Sequence, residues 1–163
     1  MNKIAVFVLA SVLVLTGCLK KEEGCPYPAT NVVAPASEEA KVREYLTANN
    51  IDAVKHSSNL YYEILEPGTG KTPELCSQIR VNYTGKLTNG NTFDSNPSAV
   101  FVLGSLIEGW KKGIPLIKSG GRIRLYIPPT LGYGSQDIKD QNNNVIIPGN
   151  SILIFDLTLI EVQ

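Results

Sequence analysis

The stretch from Phe101 to Gly134 limits the fold more than any other, because a strand, a short helix, a second strand and a proline-braced turn follow one another with almost nothing between them. Phe101-Val102-Leu103-Gly104 opens it as a strand. Ser105 to Gly113 then places Ile107, Trp110 and Ile114 at helical spacing, with Gly113 and Pro115 as its stop signals. After Gly120-Gly121, the run Arg122-Ile123-Arg124-Leu125-Tyr126-Ile127 alternates polar and apolar, the period of a strand buried on one face. Pro128 and Pro129 stop it, and Leu131-Gly132-Tyr133-Gly134 sets a tyrosine between glycines where the backbone turns sharply. A helix of about two turns does not hold its shape alone. The rest of the chain therefore has to supply a sheet for it to lie on.

That sheet is legible on both sides of the stretch. Leu60 to Leu65 is a strand by composition and closes in the turn Pro67-Gly68-Thr69-Gly70. Ile79, Val81 and Tyr83 share one face of a strand running through Gly85 to Leu87, Asn89-Gly90 is a hairpin turn, and the return strand delivers Thr92-Phe93-Asp94-Ser95. Ser151 to Val162 is a long strand with Leu153, Phe155, Leu157 and Leu159 on one face. Ser135 to Val145 is polar and without periodic pattern, which predicts a mobile flap beside Tyr133. The fold class is α+β, a mainly antiparallel β-sheet wrapped around one short α-helix, with an accessory N-terminal helix. Ser37 is expected to cap that accessory helix, Glu38 and Glu39 fill its first turn, and Val42, Tyr45, Leu46 and Asn49 share one face.

The N-terminus reads as an export signal. Met1-Asn2-Lys3 precedes the apolar run Ile4 to Leu15, too short to span a bilayer, and Leu15-Thr16-Gly17-Cys18 resembles a bacterial lipobox, in which the cysteine thiol is acylated and becomes the mature N-terminus. Leu19 in place of an aspartate resembles outer-membrane sorting, and Lys20-Lys21-Glu22-Glu23 is either a spacer or a tag for surface display. The expected organisation is a signal peptide over 1–17, a tether and linker over 18–36, an accessory helix and connector over 37–59, and one domain over 60–163. The expected location is the bacterial cell envelope, lipid-anchored, on the periplasmic or surface face of the outer membrane. An exported chain leaves Cys25 and Cys76 as a candidate disulfide.

The formal net charge of the 163 residues is zero, and no basic stripe offers a surface for a nucleic-acid backbone. The chain's one histidine, His56, stands apart from any nucleophile or second ligand, so neither a metal site nor a serine or cysteine triad is expected. Gly70-Lys71-Thr72 imitates the end of a phosphate-binding loop, but Leu65 stands where the loop's first glycine is needed and no helix pattern follows.

The aromatic and acidic residues gathered around the short helix carry a resemblance. Val81-Asn82-Tyr83-Thr84-Gly85, the Asn89-Gly90 turn, Phe93-Asp94-Ser95, Leu106-Ile107-Glu108-Gly109-Trp110, Tyr133-Gly134, and Ile146-Ile147-Pro148 with Ile154-Phe155-Asp156 resemble, in order, the motifs of the FKBP-type peptidyl-prolyl isomerases. The likeness covers residues 60–163. It implies that Trp110 floors a pocket for a substrate proline, that Tyr83, Phe93, Leu106, Ile107, Ile147 and Phe155 line it, and that Tyr133 and the backbone N–H of Ile107 hydrogen-bond substrate carbonyls, with Asp94 at the rim. Tyr133 and Asp94 are the implied catalytic residues. The implied activity is isomerisation of X-Pro bonds without cofactor or metal, assisting the folding of exported proteins, with proline-containing unfolded chains as partners and macrolide immunophilin ligands fitting the same pocket.

Departures from the family pattern bear on the site. Compact members carry an arginine shortly after the aspartate, where this chain has Asn96-Pro97-Ser98; Ala99 replaces a larger wall residue; the loop from Gly134 to Ile146 is longer and lacks the histidine often found there. The alternative reading is a non-catalytic module or holdase that binds proline-containing segments in the same pocket. A third is an inert structural lipoprotein.

Overall fold

The computed structural model describes residues 24–163; the expected export signal, Cys18 and the Lys20-Lys21-Glu22-Glu23 run lie outside the described residues. In chain order the elements are α1 (Ala36–Ala48), β1 (Val54–Lys55), β2 (Tyr61–Glu66), β3 (Gln78–Leu87), β4 (Thr92–Val102), α2 (Glu108–Gly113), β5 (Arg122–Ile127), β6 (Ile138–Lys139), β7 (Val145–Ile147) and β8 (Leu153–Val162). The main sheet is antiparallel throughout, in the order β1-β2-β5-β8-β3-β4, and β6 pairs with β7 as a separate hairpin.

β8 lies at the centre because it pairs with β5 on one side and β3 on the other. Its residues Leu153, Phe155, Leu157 and Leu159 are buried against Ile79, Val81, Ile123, Leu125 and Ile127 of the neighbouring strands. α2 lies on this apolar face at close range. A Cβ on Gly109 would stand 2.5 Å from Ile127 Cδ1, and one on Gly113 would stand 2.6 Å from Leu125 Cδ1. Gly113, packed close to Leu125, is the last residue of α2, and with a φ of −86° the chain tightens beyond it into a 3₁₀ turn over Ile114–Leu116 that contains Pro115. The strand expected to begin at Phe101 is the end of β4, which passes into another 3₁₀ turn over Leu103–Ser105.

The outer face of the sheet is covered by α1, where Val42 and Leu46 pack on Tyr61, Tyr126 and Ile154. Ser37 is not the cap. Pro35 is, its carbonyl accepting from the backbone N–H of Glu38 and Glu39 at 3.0 and 3.1 Å, and no side chain caps the helix. Asn49 ends the helix in solvent, and the buried stripe gains Glu39, which accepts a 2.5 Å hydrogen bond from Tyr61 Oη. Arg43 and Lys55 stand 3.7 and 3.8 Å from the same carboxylate.

Two expectations are corrected. Within the supposed linker, residues 25–34 are a docked strap without regular structure. Cys25 is joined to Cys76 with Cα atoms 5.6 Å apart. Tyr27 packs against Gly104, Thr30 bonds to Glu108 and Lys112, and Ala34 enters the main core with its N–H on Ser58 O at 3.0 Å. The flap is likewise a built hairpin. Ile138 pairs with Ile147 and Lys139 with Val145, while Asp140 accepts from the N–H of Asn142 and Asn144 and from Asn144 Nδ2 at 2.8–3.0 Å. Asn143 takes the left-handed φ of 64°, which asparagine tolerates.

Candidate active site

A cavity of about 220 Å³ opens between α2 and the inner face of the sheet, and Trp110 is its floor. Trp110 is only 4% exposed. Three rings meet it edge to face, Tyr83 at 5.2 Å, Phe155 at 5.1 Å and Phe101 at 6.1 Å between centroids, which fixes its orientation. Its Nε1–H is the one buried side-chain polar atom without a partner among the described residues.

Leu106 and Ile107 form the wall above α2. Both are extended, between the 3₁₀ turn and the helix, and the Ile107 carbonyl accepts from the N–H of Trp110 and Lys111 at 3.0 and 3.1 Å. The N–H of Ile107 has no partner among the described residues. Tyr133 stands at the mouth, 41% exposed, on a turn closed by the Gly134 N–H bonding to Pro129 O at 2.9 Å, with Gly134 at φ 72°.

Asp94 is oriented by Tyr83, whose hydroxyl donates to Asp94 Oδ2 across 2.7 Å. The register explains the reach: Tyr83 pairs with Asn96 and Gly85 with Asp94, so the phenol crosses one diagonal step of the ladder. Burial, the hydrogen bond to Asp94 and its charge push the Tyr83 pKa up. Burial and the Asp94 charge do the same for Tyr133. Both phenols are donors at neutral pH. Among the described residues no cluster of three or more His, Cys, Asp or Glu is placed to hold a metal. What the cavity offers is apolar walls, an aromatic floor and two donors at the mouth.

The family model for FKBP-type peptidyl-prolyl cis-trans isomerase matches residues 70–160. The chain belongs to the FKBP family. It is 37% identical over 139 residues to a probable FKBP-type peptidyl-prolyl cis-trans isomerase of Haemophilus influenzae, covering 83% of this chain and 56% of that protein. It is 40% identical over 129 residues to the peptidyl-prolyl cis-trans isomerase Mip of Coxiella burnetii, covering 76% of this chain and 54% of that protein. The crystal structure of FkpA from Escherichia coli superposes with a TM-score of 0.67 at 36% identity, covering 78% of this chain and 60% of that one. The chain thus spans about half the length of the curated relatives it matches.

Of the residues expected to form the FKBP site, Tyr83, Asp94, Leu106, Ile107, Trp110, Tyr133 and Phe155 line the cavity. Phe93 and Ile147 do not. Phe93 lies behind Phe155, edge-on at 5.5 Å, and Ile147 turns into the main core, 3% exposed. Ala99 is also buried in the core. Phe101 is the lining residue that sequence reasoning missed. In an unbroken strand Asp94 and Phe101, an odd number of residues apart, would face opposite ways. The ladder slips between the Val81–Ala99 and Tyr83–Asn96 pairs, and the extra residue brings both to the cavity side. Pro97 was the available signal, since proline within a strand marks an edge or a bulge.

Proposed function

We propose that this chain isomerises X-Pro peptide bonds in exported polypeptides, held at the outer membrane of the bacterial envelope by a lipid on Cys18. The observation that carries the catalytic part is the Trp110 cavity, closed by rings and provided with hydrogen-bond donors but no nucleophile. Rotation about an X-Pro bond breaks amide resonance against about 18–20 kcal/mol, and an acceleration of about 10⁴-fold needs only about 5–6 kcal/mol of that. A twisted amide carries less charge separation than a planar one, so a dry aromatic site disfavours the planar ground state more than the transition state. The Tyr133 hydroxyl and the Ile107 N–H hold the flanking carbonyls, while Tyr83 keeps the Asp94 carboxylate at the mouth. The same apolar walls suit macrolide immunophilin ligands, which would compete with proline peptides.

The test is the refolding of a protein whose slow phase is X-Pro isomerisation. Acceleration at catalytic amounts supports the isomerase; slowed refolding that needs stoichiometric amounts replaces it with a holdase. The tether is tested separately by Cys18→Ala, which should leave the protein unlabelled by lipid precursors and either free of membranes or unprocessed. Unchanged detergent partitioning together with a wild-type Cys18 that takes no lipid label would remove the anchor from the account.

A further inference from the structure

The 3₁₀ turn Pro129–Leu131, which follows β5 and leads into Tyr133, is capped from another part of the chain. Pro128 and Pro129 have no N–H, so Thr130 carries the first donor of the turn, and the turn has no side-chain cap of its own. Glu38 of α1, 92 positions earlier, supplies the partner. Its Oε2 accepts from the Thr130 N–H at 2.9 Å and its Oε1 from the Thr130 hydroxyl at 2.8 Å. The next residue along α1 keeps that carboxylate in place: Glu39 is buried and bonded to Tyr61, while Val42 and Leu46 seat the same helix on Tyr126 and Ile154. Two consecutive glutamates thus tie α1 to different elements, the sheet through Glu39 and the turn through Glu38.

From Thr130 to Tyr133 the backbone has little freedom. Leu131 is fully buried, Pro129 O accepts from the N–H of Gly132 and of Gly134 at 2.9 Å each, and Gly134 O accepts from the Asn150 N–H at 2.8 Å. The Tyr133 ring is 41% exposed, so its own packing fixes it only in part. The direction of its hydroxyl depends on where this backbone is set, and Glu38 holds the end at Thr130. We infer that Glu38 is a positioning residue for the isomerisation: through Thr130 it fixes the turn that aims the Tyr133 hydroxyl at a substrate carbonyl. α1 is then part of the framework of the site and not only a cover for the sheet. Glu38 lies outside residues 70–160 matched by the family model, so this support comes from the chain's own N-terminal segment. The inference rests on the isomerase reading of the Trp110 cavity with Tyr133 as a donor.

The experiment compares wild type, Glu38→Ala, Tyr133→Phe and the double variant on one alanine-flanked proline peptide, at a temperature where thermal unfolding shows each protein folded. Glu38→Ala should lower kcat/KM about threefold in the wild-type background and leave it unchanged in the Tyr133→Phe background, because the lost aim acts only through the hydroxyl that phenylalanine lacks. Glu38→Gln keeps an acceptor for the Thr130 N–H and a donor for its hydroxyl, and should restore the wild-type value. A merely structural contact would lower both backgrounds by the same factor. That result, full activity in a folded Glu38→Ala, full activity in Tyr133→Phe, or a Glu38→Gln as low as Glu38→Ala overturns the inference. If the wild type isomerises no peptide, the isomerase reading fails separately. Calorimetric Kd values on the same four proteins then decide: about threefold weaker binding in Glu38→Ala that vanishes in the Tyr133→Phe background supports the positioning role, and equal effects in both backgrounds overturn it.

Discussion

The Tyr83 hydroxyl donates to Asp94 Oδ2 across 2.7 Å, and this bond sets the direction of the carboxylate at the cavity mouth. No basic side chain follows Asp94 in Asn96-Pro97-Ser98 to do so. Tyr83→Phe is expected to lower kcat/KM about threefold to tenfold and stability by about 0.5–1.5 kcal/mol, since the exposed Asp94 rehydrates. Asp94→Asn keeps an acceptor oxygen and should cost less activity. Peptide isomerisation kinetics and thermal unfolding of both variants check this. A larger loss in Asp94→Asn would mean that charge at this position matters more than orientation.

Burial and the Asp94 charge raise the Tyr133 pKa, and Tyr83 is raised by burial, its bond to Asp94 and that charge. A raised phenol keeps its proton as pH climbs, so kcat/KM should stay flat from about pH 7 to about pH 10, the ordinary tyrosine pKa. Tyr133→Phe should leave stability nearly unchanged, because the ring is part-exposed at the mouth, and should weaken substrate positioning by about 0.5–1.5 kcal/mol. A fall in wild-type activity well below pH 10 that disappears in Tyr133→Phe would contradict the raised pKa.

Glu39 joins α1 to the sheet. The Tyr61 hydrogen bond and the charges of Arg43 and Lys55 hold its carboxyl below the usual 4.5, with burial opposing them. A depressed folded pKa gives stability that is fully present above the unfolded value and is lost as pH falls through the folded one. The stability difference between wild type and Glu39→Gln should therefore be constant above about pH 5 and shrink below about pH 4.5. Chemical denaturation across that range measures it, and a difference independent of pH would exclude the linkage.

Cys25 and Cys76, 51 residues apart, fasten the strap that backs α2. On the loop-entropy model, replacing both by serine should cost about 4 kcal/mol. Denaturant titrations of wild type and double variant, with and without reductant, check the figure. Equal stabilities would mean that the strap is held by Tyr27, Thr30 and Ala34 alone.

How much of this was legible in the sequence depends on which force placed each residue. Apolar alternation marked β3, β5 and β8 correctly, because Ile79, Ile123 and Phe155 answer to one buried face. Ordered motifs marked most of the cavity. The parts that escaped depend on other forces. The bulge that turns Phe101 inward is a register effect between strands, and the polar hairpin is held by the carboxylate of Asp140, which leaves no hydropathic period. The docked strap looked like a linker because its anchors are single residues: a disulfide, Tyr27 on Gly104, and Thr30 on Glu108. Ile147 was assigned to the site, yet it is the inward residue of β7, while Val145 and Ile146 face out.

The central claim is that the cavity over Trp110 twists X-Pro bonds, and exchange spectroscopy on a proline peptide at equilibrium tests it without any coupled enzyme. The chain should raise the cis–trans exchange rate well above the uncatalysed rate, whose time constant is tens of seconds or more. Trp110→Ala should abolish the effect and lose about 3–5 kcal/mol of stability, so it is compared at a temperature where it remains folded. Binding of the peptide by the wild type with no change in exchange rate, across peptides of varied residue before the proline, would contradict the account and leave a binding module in its place.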